Sequence, residues 1–163
     1  MKIEGLGTLI RRGTVTITDA SGGSVDLKIA AYPLGFHTEL IRDLPGPVAP
    51  LKKVGQDRNG APIMDRNEKD PKFKAEEART THLQSVALAY MALRDETRIT
   101  WDAKREEYPD ARSFYVALEA EAVAAGWTGD AIDTVAKAAV ALSDLKDMTD
   151  EKSQALFTEA DPE

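Results

Sequence analysis

Cysteine is absent from all 163 residues, which excludes disulfides, Cys-based zinc sites, iron–sulfur clusters and thiolate nucleophiles. Histidine is almost as scarce. His37 and His82 are the only two, far apart in sequence with no partner ligand near either, so no metal is expected. Aromatic residues make up 6% of the chain and its net charge is −7. Stacking platforms for single strands are therefore few, and an acidic surface repels phosphate backbones, so no nucleic-acid partner is expected. Long apolar runs are missing too. The longest uncharged stretch of the second half, Thr80 to Leu93, is too short to span a bilayer. The opening Met-Lys-Ile-Glu-Gly-Leu-Gly holds no apolar core of signal-peptide length. The expectation is a soluble, cytoplasmic protein without a membrane segment.

Motifs that carry chemistry are lacking in the same way. Gly5-Leu-Gly7 has no third glycine and no helix signal after it, so it is not a dinucleotide loop, and no phosphate-binding loop occurs. Ser143-Asp-Leu-Lys146 matches S-x-x-K, but any helix with serine and lysine one turn apart does so, and the companion elements are absent. Asp57-Arg-Asn59-Gly60 resembles part of a calcium loop, yet the glycine comes two positions early and the closing glutamate is missing. Turn chemistry explains it. Glu106 with Glu107, and Glu119 with Glu121, are adjacent or two apart, which does not converge them on one helical face. They read as exposed charge. Neither a cofactor nor a catalytic centre is expected.

What the chain does contain is helix-forming and modest in core volume. Leu, Ile, Val and Phe together number 35 residues, against 24 alanines, which favour helix but fill little space. The first part reads as β: Thr14-Val-Thr-Ile-Thr and Ser24-Val-Asp-Leu-Lys-Ile alternate apolar and polar residues around a Gly-Gly turn. Thr8-Leu-Ile suggests a preceding strand. Pro33 suits the first position of a short helix that aligns Leu34, Phe36, Leu40 and Ile41. Pro45-Gly-Pro-Val-Ala-Pro then ends it. Across residues 55–70 the composition favours a mobile loop, with a small hairpin of Leu51–Val54 against Pro62–Met64 as the alternative.

The second half is helical. Asp70-Pro71 opens a helix whose stripe runs through Ala75, Ala78, His82, Leu83, Val86, Ala89, Tyr90 and Leu93, with His82 as a hydrogen-bonded core histidine. Thr97 to Asp102 reads as an extended connection. Asp110 caps a second helix that stops at Gly126, and Thr128 caps a third. A short fourth helix from Thr149 is anchored by Leu156 and Phe157. The resulting expectation is an α+β chain, mainly α: an N-terminal β-hairpin followed by a small helical bundle. Its segments are 1–45 (hairpin and short helix), 46–70 (Pro/Gly-rich insert), 71–146 (three-helix core) and 147–163 (short acidic helix and tail).

Trp101 and Trp127 suit either the helical core or a partner surface. With Phe36 and Leu40 they form the expected partner-binding set, because so small a core leaves large apolar residues at element ends for another chain. Residues 80–163 carry eight basic and 17 acidic groups, and the acidic C-terminal third would form a charged rim. Self-association or capture of a mainly helical partner, only mildly dependent on salt, is the resulting expectation.

The order of these features resembles a known family. The hairpin runs into Ala31-Tyr-Pro-Leu-Gly-Phe-His-Thr-Glu-Leu, then the insert. There follow Ala87-Leu-Ala-Tyr-Met-Ala-Leu-Arg-Asp, Ile99-Thr-Trp101-Asp102, Phe114-Tyr-Val-Ala-Leu-Glu and Ala125-Gly-Trp-Thr. Over about residues 12–140 this layout resembles the tail assembly chaperones and related morphogenesis proteins of long-tailed bacteriophages. The resemblance implies a non-enzymatic adaptor that binds tape-measure and tail-tube proteins in the bacterial cytoplasm and leaves before the virion is complete. A head–tail connector or tail-terminator subunit, and a regulatory adaptor acting on a host protein, are the alternatives. No site residue carries across from the family.

Overall fold

A computed structural model of the chain describes residues 11–18, 21–33 and 35–143. The expected strand at Thr8, the apolar position Leu34, Lys146 and the helix expected from Thr149 lie outside these residues. The architecture is α+β and mainly α, with an N-terminal antiparallel hairpin followed by four α-helices. Between the first and second helices lies a second hairpin.

The described residues belong to two compact units, each drawn from separate stretches of chain. One comprises the described residues up to Pro33, Leu88–Thr100, and those from Thr128 to Ser143. The other comprises Leu34–Ala87 and Trp101–Trp127.

In the first unit, β1 (Arg12–Thr18) pairs antiparallel with β2 (Ser24–Ala30), Val15 standing opposite Leu27 and Gly13 opposite Ile29. The alternation expected from the sequence is realised as burial: Val15, Ile17, Leu27 and Ile29 are all buried while their neighbours along each strand are mostly exposed. The helix α4 (Gly129–Ser143) lies against both strands. Gly13 makes room for it, since a Cβ there would stand 3.2 Å from a Leu142 methyl. Ile132, Val135, Ala136 and Ala139 supply the buried stripe of α4, and the Thr128 hydroxyl caps it by accepting from the Ala131 N–H at 3.2 Å. Ser143 closes the far end. Its hydroxyl donates to the Ala139 carbonyl and accepts from the Tyr32 N–H, a structural link for the serine of the S-x-x-K match.

In the second unit, α1 spans Phe36–Asp43. It starts three residues later than Pro33, because Gly35 takes a left-handed conformation (φ 88°) immediately before it. Ile41, expected on its apolar side, is exposed at 49%. The long helix α2 (Pro71–Ala92) begins where the Asp70 carboxylate accepts from the Lys72 and Phe73 N–H groups, both at 3.0 Å. Its first two turns are exposed apart from the half-buried Phe73, Ala75 and Ala78 included. The buried stripe starts further along, with Leu83, Val86 and Ala87, and α2 then runs on into the first unit through Ala89 and Ala92. The helix α3 (Ala111–Ala124) is capped by Asp110, whose carboxylate accepts from the Ser113 N–H at 2.7 Å. At its end Gly126 (φ 85°) permits the paired closure in which Trp127 N–H reaches the Ala122 carbonyl and Gly126 N–H that of Val123.

The insert forms the hairpin rather than the favoured loop. β3 (Leu51–Gln56) pairs antiparallel with β4 (Pro62–Arg66). The turn is held by Asp57, whose carboxylate accepts from the Asn59 and Ala61 N–H groups at 2.8 Å each, with Gly60 at φ 82°. The Asp-Arg-Asn-Gly run is thus turn chemistry. Thr97 and Arg98 likewise form a turn, closed by the Ile99 N–H on the Glu96 carbonyl at 3.2 Å, where an extended connection was expected.

Candidate functional site

The expected partner-binding residues are placed unevenly. Phe36 and Leu40 are buried, 8% and 4% exposed, so they offer no surface to another chain. Their place in the partner-binding set is corrected: α1 is amphipathic, and its apolar side is covered within this chain. Trp101 and Trp127 are half-buried, which leaves each with a restricted outer edge. His37 is exposed, and His82 is half-buried.

Large apolar surface is open elsewhere, on the β3–β4 hairpin. Among the described residues its two strands pair only with each other. No residue of either strand is buried. Leu51, Val54, Ile63 and Met64 are exposed at 64%, 52%, 47% and 48%, and Val48 just before them at 81%. The contrast with β1–β2 is direct. That hairpin has the same topology and buries four large aliphatic side chains. A two-stranded hairpin without a covered face is marginal in water, and clustered exposed apolar residues make it the candidate surface for contact with another chain.

Register distributes the side chains between the two faces. Leu51 stands opposite Arg66 and Lys53 opposite Met64; residues two apart share a face, so these four lie on one side. Lys52 opposite Asp65 and Gly55 opposite Ile63 lie on the other. The register shifts between Lys53 and Gly55, which makes Val54 the extra residue of a β-bulge. One face therefore combines Leu51 and Met64 with two cations and no anion. The other sets a cation against an anion beside Ile63.

Two charged clusters stand apart from the hairpin, and both hold structure. In the first unit Glu96 is 4% exposed, and its carboxylate accepts from the Lys28 N–H at 2.9 Å, from the Arg98 N–H at 3.1 Å and from the Arg98 guanidinium at 2.7 and 2.8 Å. The Arg98 hydrogen bonds, then the Lys28 amide, hold this carboxyl well below the usual carboxylate range. Arg98 also donates to the Asp26 carbonyl, so the pair fastens β2 to the turn after α2. In the second unit Glu119 on α3 accepts both guanidinium nitrogens of Arg79 on α2, at 2.6 and 2.5 Å, and lies 2.9 Å from His82 Nε2. The Arg79 hydrogen bonds are the main reason its carboxyl is lowered. Glu121 accepts from the Asp102 and Ala103 N–H groups at 2.9 and 2.7 Å. Glu119 and Glu121, expected as idle exposed charge, are thus the acceptors that join α3 to α2 and to the segment preceding it.

Among the described residues no group of three or more His, Asp or Glu is arranged to hold a metal ion. No described helix is long and apolar enough to cross a membrane. No family model matches the chain, and no curated protein or solved structure matches it either.

Proposed function

We propose that this chain is a non-enzymatic adaptor of phage tail morphogenesis, an assembly chaperone that binds tape-measure and tail-tube proteins before the virion is complete. The observation that carries the reading is the β3–β4 hairpin, which exposes Leu51, Val54, Ile63 and Met64 on strands with no covered face. A binding protein has use for such an element, and the family layout of the sequence supplies the class of partner. The titratable clusters support the same reading, since Glu96 and Glu119 have their hydrogen-bonding capacity engaged by neighbours that hold the fold. In this role the protein works in the cytoplasm of the bacterial host.

The test is a comparison of two pools. Tagged chain recovered from phage-producing cells is expected to carry tape-measure and tail-tube proteins, as read by mass spectrometry, while purified particles lack it. Stoichiometric presence in particles assigns it instead to the virion as a connector or terminator subunit. Recovery with a host protein alone assigns it to regulation.

A further inference from the structure

The hairpin's two faces differ in charge, and the difference says what can cover one of them. Lys53 and Arg66 share a face and are diagonal neighbours across the ladder, about 7–8 Å apart in such a pair. Each stands opposite an apolar residue, Met64 and Leu51, and neither is in an ion pair among the described residues. On the reverse face Lys52 and Asp65 stand opposite each other and compensate. The first face thus carries two apolar and two cationic side chains on crossed diagonals, Leu51 with Met64 and Lys53 with Arg66, and no anion.

We propose that the Leu51–Lys53–Met64–Arg66 face docks an acidic amphipathic helix of a different protein. This deepens the adaptor reading and rests on it. Three arguments select that occupant. The strand edges are poor sites for an added strand: Lys52 and Lys53 lie on β3, a bulge interrupts it at Val54, and Pro62 lacks an N–H at the start of β4. Docking therefore uses the face, and a helix laid on a sheet is the ordinary way to cover one. Strands of five and six residues span about 17–20 Å, which matches about 12 residues of helix. Carboxylates flanking the helix's apolar stripe meet Lys53 and Arg66, and its leucine-sized residues meet Leu51 and Met64.

A second copy of this chain fits less well. Two such faces meeting symmetrically gather four cations, Lys53 and Arg66 of each copy, with no anion on either face. A head-to-tail contact between this face and an acidic segment of another copy closes into a ring or runs on as a filament, assemblies that sedimentation detects.

The test uses the full chain and two synthetic amphipathic peptides of about 18 residues. Both carry leucines at helical spacing, one flanked by glutamates and the other by lysines. Fluorescence anisotropy is expected to show binding of the glutamate peptide and not of the lysine peptide. Its affinity should fall about tenfold or more in the Lys53→Glu/Arg66→Glu variant, and also between about 50 and about 300 mM salt. Leu51→Ser/Met64→Ser should weaken it severalfold, while Ile63→Ser on the reverse face leaves it unchanged. Circular dichroism checks that each variant is folded. Equal binding of both peptides, binding of neither, or an Ile63→Ser loss as large as that of Leu51→Ser/Met64→Ser overturns the assignment. Sedimentation of the wild-type chain as an oligomer that Lys53→Glu/Arg66→Glu dissolves overturns it in favour of a second copy. Undiminished capture of tail proteins by the charge-reversed variant removes this face and leaves the adaptor reading standing. Failure of the wild-type chain to capture any tail protein removes that reading itself.

Discussion

Glu96 and Leu40 show how differently single positions bear on this protein. Glu96 is a carboxylate out of contact with water, satisfied by the Arg98 guanidinium and by two backbone N–H groups. Its carboxyl is held below the ordinary range, so the folded state binds its proton less readily than the unfolded chain. That contribution is complete above the unfolded carboxylate value of about 4.3 and is lost as pH falls below it. The melting temperature of Glu96→Gln should therefore lie below that of the wild type at pH 7, and the gap should narrow steadily as the pH falls from about 5 to about 3. A gap independent of pH contradicts this account of Glu96. Nothing local announced the residue. Its partner Lys28 lies 68 positions away. Leu40 was visible as an apolar helix position, but the sequence could not say whether its cover came from this chain or another. Burial at 4% decides that question. Leu40→Ala is expected to cost about 2–5 kcal/mol in urea unfolding, whereas Met64→Ala, on an exposed strand, should stay within about 0.5 kcal/mol. Equal costs at the two positions would reverse their roles.

At the scale of elements, legibility followed burial. Val15 and Ile17 against Leu27 and Ile29 alternate with polar neighbours because α4 covers one face of their hairpin, and that one-sided cover writes a period of two into the sequence. The helix boundaries were readable for an equally local reason: Asp70, Asp110, Thr128 and Gly126 each make the capping contacts their residue types favour. β3 and β4 have no covered face, so Leu-Lys-Lys-Val and Pro-Ile-Met-Asp show no alternation, and the bulge at Val54 breaks the parity that remains. Composition alone then favours a loop. The interaction surface was missed for the same reason, since a strand that keeps both faces in water looks like a polar segment until its pairing is known. Leu51 and Met64 acquire meaning only once register places them beside each other.

The molecule as a whole distributes its work between the parts that hold its fold and the part left open. Each compact unit gathers stretches distant in sequence, an organisation that a reading by consecutive segments does not reveal. Phe36, Leu40, Leu83 and Leu118 are committed to burial, while the hairpin at 51–66 carries exposed aliphatic side chains and the cationic face. Binding through that face should be salt-sensitive, whereas contact through Phe36 and Leu40 would depend only weakly on salt. The most direct measurement is hydrogen–deuterium exchange on the chain alone and in complex with the tail protein it is proposed to bind. In the free chain, amides of residues 51–66 should exchange faster than those of residues 12–30, because no described helix covers their strands. In the complex, protection should appear at residues 51–66 and leave residues 36–44 unchanged. Protection at residues 36–44 or around Trp101 and Trp127, with 51–66 exchanging as in the free chain, would contradict the claim that the hairpin is where this protein binds.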